Sequence, residues 1–121
     1  MILTIENYNL ESKIPYSDDI YSMCEHYIEA LEIGEYDCIL SVVLHNDANI
    51  EGMWGYCEWE PIDKIVEVHL AMKGPAWGLT LAHEMVHVKQ NLLYGVTSEG
   101  PAYDLEYELY SSWKDIYEPA R

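Results

Sequence analysis

A chain of 121 residues, half of them apolar, is long enough to bury a core in one domain and too apolar to stay disordered. Its 22 acidic against 6 basic residues give a net charge of −16, which repels nucleic-acid phosphates and draws in cations and basic peptides. No apolar run reaches the ~18 residues of a membrane span and no basic, apolar leader opens the chain, so the expected setting is cytoplasmic, with no membrane partner. Cys24, Cys38 and Cys57 are odd in number and form no CxxC pair, which points to reduced thiols, not a disulfide framework or a cysteine metal site.

Ile2 to Leu10 reads as a first strand. Ser17 is placed to cap a helix, with Asp18 and Asp19 in its first turn, where carboxylates suit the helix dipole. Ile20, Met23, Tyr27, Ile28 and Leu31 recur at helical spacing, and Gly34 supplies a stop. Cys38 to His45 alternates as a strand and Asn46-Asp47-Ala48-Asn49 reads as a turn. Met53 to Trp59 reads as a second strand in this stretch, weakened by Gly52 and Gly55, and Ile65 to Met72 as a third, ended by Gly74-Pro75. Trp77 to Tyr94 is a helix apolar on two sides, hence central to the domain, and Gly95 ends it. Gly100 and Pro101 open a last helix that runs to about Tyr117. With no repeat or linker, the order of strand, helix, strands and two helices predicts a single α+β domain.

The central helix contains His83-Glu84-Met85-Val86-His87. Histidines four apart project from one helix face, about one turn apart, and can share one zinc ion at about 2.0–2.1 Å each. Glu84, one position round, lies beside such an ion and can take a proton from a water activated there, which is the chemistry of an HExxH segment. His26 and His45 have no such partner and read as packed or surface residues. Thr80 and Gln90 share the polar stripe and can support the ligands from behind. Asp104, Glu106 and Glu108 on the last helix are the candidates for a third ligand, leaving a fourth position for water. Glu106 shares a helix face with Tyr103, Tyr110, Trp113 and Tyr117, an inward aromatic stripe, whereas Glu108 shares its face with Asp104, Ser111, Ser112 and Asp115.

Leu79-Thr80-Leu81-Ala82-His83-Glu84-Met85-Val86-His87-Val88-Lys89-Gln90, followed by a glutamate-bearing helix, resembles the gluzincin branch of zinc metallopeptidases, and most of all the minimal single-domain members common in bacteria and their viruses. The resemblance spans Lys64 to Tyr117. It implies a zincin-like fold: a small mixed or antiparallel sheet, an N-terminal helix, the HExxH helix and a C-terminal ligand-bearing helix. It also implies that Lys64–Met72 is an edge strand that aligns an extended peptide or protein substrate. The implied site is one Zn2+ per chain on His83, His87 and Glu106, with Glu108 the alternate, and Glu84 as general base of peptide hydrolysis. Such hydrolysis also needs a donor for the oxyanion, for which His69, Tyr94, Tyr103 and Tyr110 are the candidates. The rival expectation is a catalytically silent zinc-binding protein that keeps this fold.

Overall fold

The computed structural model describes residues 1–8 and 17–117 and is a small α+β domain of three helices and one four-stranded mixed sheet. In chain order the elements are β1 (Ile2–Asn7), α1 (Ser17–Ala30), β2 (Ile39–His45), β3 (Gly55–Glu60), β4 (Ile65–Ala71), α2 (Trp77–Tyr94) and α3 (Glu99–Tyr117). Asn9 and Leu10, expected in the first strand, and the side chains of Ser17 and Asp18 lie outside the described residues. Sequence and structure part at the end of α1. The chain leaves the helix at Glu32, whose φ of 58° is left-handed, two residues before the glycine expected to stop it. The stop at Gly95 is as expected, with φ 73° and its N–H on the Asn91 carbonyl.

The strands lie in the order β1-β2-β4-β3. β1 runs parallel to β2 and β2 to β4, while β3 pairs antiparallel with β4 as a hairpin. Leu40, Val42, Leu44, Val66, Val68 and Leu70 are fully buried on one sheet face, in one core with Ile20, Met23 and Tyr27 of α1, Leu81, Met85 and Val88 of α2, and Ala102, Leu109 and Trp113 of α3. The alternate residues Ser41, Val43, His45, Glu67 and His69 therefore belong to the opposite face.

The strand before the helix that carries His83 and His87 is not the sheet edge that the resemblance implied. β4 is interior, and β3 takes the edge. The burial explains the arrangement: β4 holds buried residues on both of its faces, as an interior strand must, while β3 has none that is fully buried.

The glycine that weakened the sequence reading of β3 is what lets this edge approach α2. A Cβ at Gly55 would stand 2.8 Å from Thr80 Cγ2 and 2.9 Å from the His69 carbonyl oxygen, and backbone cannot yield as a flexible side chain does. Gly55→Ala should therefore destabilise the fold by about 1–3 kcal/mol, the usual cost of overpacking. Chemical denaturation measures it, and an unchanged midpoint would mean that β3 is not held against α2.

Candidate metal centre

α2 delivers its histidines to one point. The rings of His83 and His87 lie 4.8 Å apart at 87° to each other, both buried, with Glu84 buried between them in sequence. Their Nε2 atoms converge on one carboxylate, that of Glu99: His83 Nε2 is 3.1 Å from Oε2 and His87 Nε2 is 2.8 Å from Oε1. Glu99 is the first residue of α3 and was no part of the sequence expectation.

The connection between the helices puts it there. After Gly95 the chain doubles back along α2, and Gln90 holds it. The Ser98 N–H donates to Gln90 Oε1 at 2.9 Å, and Gln90 Nε2 donates to the Ser98 carbonyl at 3.0 Å. α3 thus starts beside Gln90, one turn from His87. Gln90, picked out from the sequence as a support, hydrogen-bonds both His87 and the connecting segment at Ser98.

These bonds also fix a tautomer. Because Gln90 Oε1 accepts from Ser98, the amide orientation is set, and that oxygen accepts from His87 Nδ1 at 2.8 Å. Nδ1 therefore carries the proton, and a neutral His87 presents a bare lone pair at Nε2 to a carboxylate oxygen 2.8 Å away. Two acceptors in that relation require a cation between them, either a second proton or a metal ion. His83 has a carboxylate at each ring nitrogen, Glu99 at Nε2 and Glu106 Oε2 at 3.3 Å from Nδ1, so one proton cannot serve both. His83, His87 and Glu99 offer donor atoms within 4.8 Å of one another, two imidazoles and a carboxylate, a set that fits zinc.

Glu106 thus reaches the site, but at the nitrogen of His83 that faces away from Glu99. Glu108 is exposed on α3, and no ion pair links it to either histidine among the described residues. Of the aromatic stripe expected to turn inward, Trp113 is buried, but Tyr103 is largely exposed even as its ring rests 4.8 Å from that of His83. Tyr103 lines the cleft above the site. Tyr110 packs against Gly78 and under Lys114, Tyr94 is exposed at the end of α2, and His69 points from the far face of the sheet, so none of these three lines that cleft.

The cleft has a volume of about 710 Å3 and runs between β3 and the two long helices, with Trp54, Tyr56, Thr80, Glu84, His87 and Glu99 in its walls. Burial pushes the Glu84 carboxyl up to about 7, Glu99 and Glu106 add to the rise, and His87 opposes it. A carboxyl poised near neutrality inside a cleft is suited to general base and acid work. Cys57 also lines the cleft, but burial, with Glu84 beside it, pushes its thiol up to about 12, so it is no thiolate nucleophile at neutral pH. Cys24 and Cys38 are free and buried.

Among the described residues no helix is long and apolar enough to cross a membrane. Comparison with protein-family models, with curated proteins and with solved structures gave no match in any of the three.

Proposed function

We propose that this protein is a zinc-dependent metallopeptidase of the minimal gluzincin kind, with His83, His87 and Glu99 as ligands and Glu84 as general base. The observation that carries the reading is the convergence of two imidazole Nε2 atoms on one carboxylate, with the His87 lone pair fixed by Gln90. When bound, zinc supplies a Lewis acid and makes water acidic enough to attack at neutral pH. Glu84 takes the proton of the attacking water and returns it to the leaving amine. Tyr103, the one tyrosine of the candidate set that lines the cleft, donates to the oxyanion. The outer edge of β3, which has no neighbouring strand among the described residues, pairs with an extended substrate as an added strand.

Protein purified without chelators or a histidine tag should carry zinc, and His83→Ala with His87→Ala should abolish zinc binding at this site. A wild-type chain that binds zinc no better than the double variant after reconstitution would sink the proposal. A broad peptide-library digest of the zinc-loaded protein then separates a peptidase from a silent zinc-binding domain, since only the former cleaves.

A further inference from the structure

On the sheet face away from α2, a second group of ligand-type side chains gathers at the hairpin of β3 and β4. Glu58 and Glu67 are paired residues, directly opposite each other across the two strands, and His69 lies two positions further along β4. Two carboxylates so opposed repel each other, and a pair of this kind destabilises a sheet unless a cation lies between them. The ligand atoms of Glu58, Glu67 and His69 lie within 4.8 Å of one another.

The histidine supplies an independent observation. His69 is 9% exposed, and its Nε2 has no hydrogen-bond partner among the described residues. The nearest acceptor, Glu67 Oε1, is 3.6 Å away, too far for a hydrogen bond. A buried ring nitrogen without a partner is rare because desolvation costs it more than folding returns. The other nitrogen, Nδ1, is 2.8 Å from His45 Nε2. One ring donates to the other in that contact, and where His69 donates through Nδ1 its Nε2 is left as a free lone pair. That nitrogen lies on the side of the ring toward Glu67, with Glu58 paired opposite Glu67 on β3. The Tyr56 ring stacks on that imidazole at 4.3 Å and 5°, fixing its plane.

We propose that Glu58, Glu67 and His69 form a second divalent-cation site, of the zinc class, separate from the His83–His87 centre. One imidazole with two carboxylates suits zinc or manganese better than calcium, which takes only oxygens. Ligands of one zinc ion at about 2.0–2.2 Å stand roughly 3.3 Å apart, and the exposed Glu58 side chain can swing to close that gap. The ion removes the repulsion between the carboxylates and satisfies Nε2. It also clamps β3, the edge strand that walls the cleft, to β4.

The test uses the full chain with His83→Ala and His87→Ala, titrated with Zn2+ alone at about 0.15 M salt, where diffuse attraction to the acidic surface is screened. This variant should still bind about one equivalent, and X-ray absorption should show a single imidazole on the metal. Adding Glu58→Gln, an exposed change that leaves the fold intact, should weaken that binding at least about 10-fold, and His69→Gln should do so at least as strongly. No stoichiometric zinc in the double variant would overturn the proposal. So would retained affinity after Glu58→Gln and His69→Gln, which would mean diffuse binding to acidic side chains. Because the first centre is absent throughout, its own failure would not touch this result.

Discussion

Glu84→Gln should keep bound zinc and lose at least about 100-fold in peptide hydrolysis, the scale of a removed general base. Glutamine fills the same space and can still accept a hydrogen bond, but it cannot take a proton from water. Retained zinc with lost turnover separates the base role from the ligand role. Equal activity in the variant would exclude the mechanism, and lost zinc would make Glu84 a ligand. The same residue has a signature in the metal-free protein. Its folded-state carboxyl lies at about 7, above its ordinary 4.5, so its ionisation is harder in the fold than in the unfolded chain. Its contribution to stability is complete below pH 4.5 and is lost as pH rises through about 7. The size of the loss, from the separation of the two values, is about 3 kcal/mol. Chelator-treated wild type should therefore weaken between pH 5 and pH 8 relative to Glu84→Gln, and parallel stability profiles would show that Glu84 is not held in a desolvating site.

The helices were legible from sequence because their signals are local. Gly95 ends α2 with the left-handed turn that a glycine after an apolar periodic run leads one to expect, and Trp77–Tyr94 has the bounds read from its pattern. The histidine spacing is likewise a property of one helix. What was not legible depended on contacts between elements. Nothing in Val66-Glu67-Val68 says that β4 pairs on both sides, because pairing is decided by where β1 and β2 end up. Glu99 was missed for a similar reason. Two helices joined by a short loop would place Glu106 opposite His87 if they simply ran back along each other. The doubled-back segment held by Gln90 and Ser98 shifts α3 along α2, and a glutamate at the start of the helix arrives at the histidines instead. The one available signal was Gln90 itself, an amide on a buried stretch of helix that needed partners for both ends.

Glu99 and Glu106 both reach the histidines, and a ranking of three variants decides which of them is the third ligand. Glu99 places an oxygen against each Nε2, whereas Glu106 contacts only Nδ1 of His83, the atom on the far side of that ring. An imidazole that ligates through Nε2 needs its Nδ1–H held by an acceptor, and Glu106, with its side chain only 20% exposed, is such an acceptor. Glu108 is about 200° round the helix from Glu106 and exposed, so it can share neither task. Glu106→Gln should then weaken zinc binding by about 10-fold, the usual effect of losing an orienting partner, and Glu99→Gln by about 100-fold or more, since it replaces an anionic ligand of the ion with a neutral one. Glu108→Gln should leave affinity within a small factor. Competition against a chromogenic chelator reads all three. If Glu106→Gln proves the most damaging, the ligand role passes to Glu106, and Glu99, 61% exposed at its side chain, becomes a surface carboxylate that merely closes over the site.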